Sequence, residues 1–146
     1  MFNAGKQCGN GALALAFVRI AVGLFFVMFG AMKLFMMGPD AIVKMMGDFL
    51  GLTDTTALAA AWVLMLTEFV GGMIVLAGGL VPRILYHASL LGFAVITIVG
   101  YTSKFLPMGM PDAAMQGLWH GMLLLIIFGL FFASPKCPLG ITGDKK

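Results

Sequence analysis

The chain has 146 residues and a net charge of +3; 61% of its residues are hydrophobic and only 10% are charged. A soluble domain carries about 25% charged residues, so this composition excludes an ordinary soluble enzyme. The apolar residues occur in long runs, which is typical of an integral membrane protein with the lipid bilayer as its first partner. The excess positive charge then reflects membrane topology, and no nucleic-acid partner is predicted.

Four apolar runs predict four transmembrane helices, at residues 13–35, 58–80, 84–100 and 118–132. The last run reaches the length of about 20 residues that a bilayer requires when it extends over residues 113–133. A single four-helix membrane domain is therefore expected at residues 13–133. A flexible N-terminal lead at 1–12 precedes it, and a polar C-terminal tail at 134–146 follows it.

The segment between the first two spans predicts a further, shorter helix. Its apolar residues recur at helical spacing, with Lys44 and Asp48 between them. Pro39 suits the first helical turn and Gly51 suits its end. Such an amphipathic helix is expected on the outer membrane surface. The predicted fold is all-α: a four-transmembrane-helix bundle with a short amphipathic surface helix between spans one and two.

The distribution of lysine and arginine predicts the orientation. With four spans, both termini and the turn at 81–84 lie on one side of the membrane. That side carries Lys6, Arg83, Lys136, Lys145 and Lys146, and the other side carries Lys33, Lys44 and Lys104. Five against three favours cytoplasmic termini. The two cysteines, Cys8 and Cys137, share that side and form no CxxC motif, so reduced thiols are expected.

Two charged residues inside the apolar runs are the main indication of function. Glu68 lies at the centre of the second run and Arg19 lies inside the first. A charge within a bilayer needs a partner or a water-filled cavity, so the sequence predicts that these two side chains pair. The pair is either a structural clamp that neutralises itself or part of a quinone, proton or substrate site.

Small residues predict which helix faces meet. The first run carries Gly23 and Gly30 seven residues apart, and the second carries two glycine pairs. Small residues let membrane helices approach closely. The predicted helix-packing positions are Gly23, Gly30, Gly71, Gly72, Gly78 and Gly79.

Two further ionisable side chains have alternative interpretations. His120 opens the fourth span beside Trp119. It either extends a polar track outward from Glu68 or anchors the helix at the membrane interface with that tryptophan. Lys33 ends the first span, where a lysine side chain reaches the interface easily.

Methionine is abundant, with thirteen residues. Nine of them group toward the outer side: Met28, Met32, Met36, Met37, Met45, Met46, Met108, Met110 and Met115. Thioethers bind Cu(I), but methionine is also a flexible apolar filler. Copper handling is therefore a third functional hypothesis, and no metal ligands are assigned.

Three motifs resemble the DoxX family of small four-helix integral membrane proteins. They are RIAVG at 19–23, GAMKL at 30–34 and EFVGGMIVLAGGLVPR at 68–83. The resemblance covers about residues 13–85 and implies a multi-pass protein of a bacterial-type inner membrane. It also implies that Arg19, Glu68 and Lys33 are polar core positions.

The resemblance implies a redox association. Some DoxX proteins are membrane subunits of thiosulfate:quinone oxidoreductase, and others associate with thiol and oxidative-stress enzymes. The leading hypothesis is therefore a membrane subunit of a quinone-linked or thiol redox system, with quinone as a non-covalent cofactor and a soluble protein as partner. The alternative is a non-enzymatic structural or assembly subunit, in a larger complex or a homo-oligomer. Independent thiosulfate oxidation is not expected, since no appended domain with redox cysteines is present.

Overall fold

The computed structural model describes residues 10–105 and 112–132, and these residues form five α-helices without a strand. The helices are α1 (Asn10–Ala31), α2 (Gly38–Leu50), α3 (Asp54–Ala77), α4 (Arg83–Gly100) and α5 (Asp112–Phe132). Four stretches of this part of the chain are long and apolar enough to cross a membrane: Ala14–Leu50, Thr55–Leu80, Arg83–Ser103 and Ala114–Phe132. The predicted fold class is confirmed.

Helices α1 and α3 pack antiparallel with their backbones in contact. A methyl group on Gly30 would lie 2.5 Å from the backbone nitrogen of Phe69. A methyl group on Gly72 would lie 2.7 Å from the backbone nitrogen of Val27 and 2.9 Å from the carbonyl oxygen of Gly23. No side chain fits at these positions, so the glycines set both the spacing and the register of the two helices. We call this contact the α1–α3 seam.

The other predicted packing glycines have different neighbours. A methyl group on Gly71 would lie 3.0 Å from the Phe93 ring, so this glycine faces α4. Gly78 begins a short 3₁₀ turn, Gly78–Leu80, and contacts the Arg19 side chain. Gly79 is exposed. The glycine pairs of the second span therefore contact different elements, and only some of these glycines lie in the α1–α3 seam.

The largest apolar core lies where α1, α3, α4 and α5 meet. The rings of Phe26 and Phe93 stack there, with centroids 3.7 Å apart. The remaining buried members of this core are Val22, Val75, Tyr86, Leu90, Ala94, Ile127 and Leu130. This core joins α4 and α5 to the α1–α3 pair at the end of the bundle where α3 finishes and α4 starts.

Helix α2 packs against the first half of α3. A π-helical segment, Met32–Met37, continues α1, and the chain turns at Gly38, where φ is 77°. The apolar face of α2 then buries Ile42 and Met46 against α3. Gly51 ends the helix with φ at 65°, as its position in the sequence predicts. Helix α2 thus covers the part of α3 that lies beyond the end of α1.

The second π-helical segment, Tyr101–Phe105, extends α4. A methyl group on Gly117 of α5 would lie 2.8 Å from the Tyr101 hydroxyl, so this segment contacts the start of α5. Most of the predicted N-terminal lead, all of the C-terminal tail and both cysteines lie outside the described residues.

Candidate functional site

Glu68 is buried in the middle of a membrane span. It lies 13 residues after the start and 12 before the end of the span Thr55–Leu80. Only 4% of the residue is exposed. An isolated carboxylate at such a position is unfavourable by several kcal/mol (about 2.5–3.5 on insertion scales), so its neighbours decide whether it is structural or available to a ligand.

The partner of Glu68 is Lys33. The Lys33 ammonium donates hydrogen bonds to both carboxylate oxygens, with Nζ 2.5 Å from Oε1 and from Oε2. The two side chains are 13% and 5% exposed, so the ion pair is almost fully enclosed. Charge-assisted hydrogen bonds of this kind are about twice as strong as neutral ones. The charges therefore neutralise each other inside the bundle.

The predicted pairing of Glu68 with Arg19 is wrong. Both carboxylate oxygens accept from Lys33 instead. Within the described residues Arg19 forms no hydrogen bond or ion pair, and its buried Nε has no partner. Lys33 does not end its helix, since the π-helical segment Met32–Met37 continues the helical path beyond it.

The register of the α1–α3 seam explains this error. Alignment of the two apolar runs by their centres places Gly23 level with Phe69. The structure instead places Gly30 against Phe69, a shift of seven residues along α1. At 1.5 Å per residue this shift is about 10 Å. It carries Arg19 away from Glu68 and brings Lys33 to it.

Lys33 lies in an unusual turn of helix. The N–H of Gly38 donates to the Lys33 carbonyl oxygen, five residues earlier. Turns with this hydrogen-bond spacing are rare and occur frequently at functional sites. Helical periodicity gives no signal of this segment and predicts Lys33 at the end of the span, whereas the family resemblance implies a polar core position for it.

A cavity of about 450 Å³ adjoins the ion pair, between α2, α3, α4 and α5. Its volume lies within the range of about 300–1,000 Å³ that is typical of small-molecule sites. Four lining residues are polar: Lys33, Glu68, Ser103 and His120. The other lining residues are Met45, Met46, Phe49, Leu50, Ala60, Val63, Leu64, Val95, Ile96, Val99 and Gly100. The cavity is thus apolar with a few polar groups on its wall.

His120 shares this cavity with the ion pair. Its Nδ1 lies 2.7 Å from the carbonyl oxygen of Gln116, one turn earlier on α5. Because a carbonyl oxygen only accepts, Nδ1 is the donor in this contact. Of the predicted polar track, Glu68 and His120 line this cavity and Arg19 does not; Lys33, which was not predicted as part of that track, lines the cavity with them.

Ser103 is a cavity residue that sequence reasoning missed. It lies in the π-helical segment Tyr101–Phe105, and its hydroxyl donates to the Val99 carbonyl oxygen at 2.6 Å. Ser103 lies three residues beyond the predicted third span, 84–100, and the sequence gives no signal that it reaches the cavity. Only the packing of α4 against α2 and α5 brings it to the cavity wall.

The methionines are dispersed over the structure. Met45 and Met46 line the cavity, whereas Met28 and Met36 are 69% and 82% exposed on the outside of the bundle. Met108 and Met110 lie outside the described residues. Within the described part of the chain, no three His, Cys, Asp or Glu residues group as metal ligands.

A family model for DoxX matches residues 14–103, which is more than half of the chain. The chain belongs to the DoxX family. Neither a curated protein nor a solved structure matches it. The DoxX match includes Lys33, Glu68 and Ser103, and it ends before His120 on α5. The family assignment thus covers the ion pair and three of the four helices around the cavity.

Proposed function

We propose that this DoxX protein is a membrane subunit of a redox system, and that its cavity holds the head group of a quinone. One observation carries the proposal: the buried Lys33–Glu68 pair forms part of the wall of an apolar cavity. A purely structural ion pair needs no adjoining space of about 450 Å³. A lipophilic molecule with hydrogen-bond acceptors matches both the apolar wall and the charged group.

Lys33 supplies the hydrogen-bond donor for such a ligand. An ammonium group has three N–H donors. Two of them are directed to Glu68 Oε1 and Oε2, which leaves one for a carbonyl oxygen in the cavity. Because Glu68 fixes the position of Nζ, this donor is held in place before a ligand arrives.

A bound quinone would accept two electrons from a partner protein and two protons, giving the quinol. The residues of this chain would bind the head group and keep protons near it. Lys33, Glu68 and His120 are the ionisable side chains on the cavity wall. The apolar side chains of α2, among them Met45 and Met46, would shield the head group from water.

A pair of adjacent alanines tests the binding site. Ala60 lines the cavity, and Ala59 is an exposed neighbour on α3 that does not line it. We expect Ala60→Phe to fill the cavity and weaken binding of a short-chain benzoquinone by at least about tenfold, or 1.4 kcal/mol. Ala59→Phe should leave the affinity unchanged. Both are measured by titration of the purified protein in lipid nanodiscs.

Equal quinone binding by the two phenylalanine variants would show that the cavity is not the binding site.

Purification of the tagged chain from its native membrane tests the proposed role in a redox system. Recovery with a redox protein and extractable quinone supports the redox role. Recovery as a stoichiometric component of a complex without quinone contradicts it.

The alternative function is a structural or assembly subunit without a ligand. Its support is that Lys33 and Glu68 satisfy each other without help from a ligand. A buried ion pair can often be replaced by apolar residues without loss of stability. If the double variant Lys33→Met/Glu68→Leu folds and sustains full function in the cell, the structural role is favoured over quinone binding.

The orientation in the membrane belongs to the same proposal. We place both termini in the cytoplasm of a bacterial-type inner membrane, on the strength of the lysine and arginine distribution. The only cysteines of the chain, Cys8 and Cys137, lie in the two terminal segments. They should resist a membrane-impermeant maleimide in intact spheroplasts and react after permeabilisation. Labelling of intact spheroplasts would contradict this orientation and place both termini outside the cytoplasm.

A further inference from the structure

Arg19 lies at the opposite end of the α1–α3 seam from the cavity. Its guanidinium packs against Gly78, where φ is 54°, and a methyl group at this glycine would overlap Cζ and Nη1. The absent side chain of Gly78 therefore creates the space that the guanidinium occupies. Arg19 is only partly exposed, and its Nε is buried.

No protein group neutralises Arg19 in the described part of the chain. Its Nε has no hydrogen-bond partner there. Glu68 pairs with Lys33, and the other carboxylates of the helical region belong to α2 or to the first residues of α3 and α5, at the other end of the seam. The sixth acidic residue, Asp144, lies outside the described residues. The positive charge of Arg19 therefore needs an anion that is not one of the described residues.

The depth of Arg19 indicates where this anion would come from. Gly78 is two residues before the end of the span Thr55–Leu80, which is about 4 Å in a 3₁₀ turn. The guanidinium thus lies near the end of this span, where a long basic side chain can reach the lipid head groups.

We propose that Arg19 binds the phosphate of an anionic phospholipid at this end of the bundle. A guanidinium forms paired hydrogen bonds with phosphate oxygens. Basic pockets between transmembrane helices at a membrane face bind lipid head groups in this way. Arg83, the first residue of α4, lies at the same end of the bundle but is exposed. This site is independent of the quinone proposal.

Native mass spectrometry of the detergent-purified chain tests the proposal with phosphatidylglycerol as the probe and phosphatidylcholine as the uncharged comparison. The wild type should retain phosphatidylglycerol selectively. Arg19→Gln should lower the retained fraction at least about tenfold, and Arg19→Lys should lower it less because the charge remains. Arg83→Gln, which removes an exposed charge at the same end, should change it less than about twofold.

A second variant keeps the test decisive if Arg19→Gln fails to fold. Gly78→Ala leaves the arginine in the chain but displaces its guanidinium from the space at Gly78, so lipid retention should also fall. Unchanged lipid retention in both variants overturns the proposal, as does an equal loss in Arg83→Gln, which would indicate general surface attraction.

Two further measurements test whether the anion at Arg19 comes from another source. Inorganic phosphate at the same concentration should not displace the lipid; if it does, the site binds soluble phosphate and the lipid assignment is wrong. Asp144→Asn should leave lipid retention unchanged. A marked rise in retention would mean that the C-terminal tail occupies the Arg19 site, which also overturns the proposal.

Discussion

The two ends of the α1–α3 seam place similar cations in different surroundings. At one end Lys33 binds Glu68 beside an apolar cavity. At the other, Arg19 packs against Gly78 without an acidic partner in the described residues. The first pair lies at mid-span, where neither water nor lipid head groups can neutralise a charge. The second position is near the edge of the span, where a lysine or arginine can reach the head groups.

This difference shows that depth in the membrane decides how a charge is satisfied. Depth follows from register, and register follows from the glycines. Gly30 against Phe69 and Gly72 against Val27 are backbone contacts, which cannot shift by rotation of a side chain. The seam therefore holds Lys33 level with Glu68 and leaves Arg19 near the 3₁₀ turn that follows α3.

The largest expected effect comes from removing each cation in turn. Lys33→Met leaves Glu68 buried and unpaired, which should lower the free energy of unfolding by about 3–5 kcal/mol. Arg19→Met removes a charge that has no partner among the described residues, so the loss should stay below about 1 kcal/mol. Both are measured by denaturant titration in delipidated detergent micelles. Equal losses at the two positions would contradict the comparison.

The four spans and the limits of α2 could be predicted from sequence because their determinants are local. Apolar length defines a span, and Pro39 and Gly51 mark the ends of α2 through their own backbone preferences. The identity of the ion pair could not be predicted in this way. The partner of Glu68 depends on the register of two helices. A shift of seven residues between two equally apolar runs replaces Arg19 with Lys33 as that partner.

The cavity could be predicted even less. Its polar wall combines Lys33 and Ser103, each in a π-helical segment, with His120 from α5. The periodicity of an α-helix gives no warning of a π turn, and the position of α5 relative to α3 is a long-range property. Glu68 was identified from sequence because a carboxylate inside an apolar run stands out without any knowledge of packing.

The seam itself can be broken at the cavity end. Gly30→Ala places a methyl group 2.5 Å from a backbone nitrogen, so α1 and α3 must separate. The loss of unfolding free energy should reach about 3 kcal/mol, the upper part of the range for overpacked sites. Gly129→Ala on α5 is the matched control, because nothing lies within 4 Å of its added methyl group. A loss as large in the control would show that any helical glycine is equally sensitive.

The same substitution at the Arg19 end should have a smaller effect. Gly78→Ala meets the tip of a flexible side chain, which can move, so the main penalty is the positive φ of 54°. With ψ at −114° the backbone lies outside the left-handed helical region, in a conformation that glycine alone adopts readily, so the penalty for a residue with a Cβ is about 1–3 kcal/mol. Thermal unfolding of Gly78→Ala in the wild-type and Arg19→Ala backgrounds separates the backbone strain from the contact with the guanidinium. A complete rescue by Arg19→Ala would mean that contact with the guanidinium, and not backbone strain, is responsible.

The smallest expected effect uses two histidines in the same local geometry. His87 and His120 each place Nδ1 2.7 Å from the carbonyl oxygen four residues earlier, on Arg83 and Gln116. His120 lines the cavity, whereas His87 packs against Phe131 at the other end of the bundle.

If the cavity binds a quinone, His120→Gln should weaken short-chain benzoquinone binding about fivefold, the equivalent of one hydrogen bond of roughly 1 kcal/mol. His87→Gln should leave the affinity unchanged, because it alters a similar helix contact without touching the cavity wall. Equilibrium titration in nanodiscs measures both. An equal loss in the two variants would trace the effect to helix stability, whereas a loss confined to His120→Gln ties the ligand to the end of the seam where the protein neutralises its own charge.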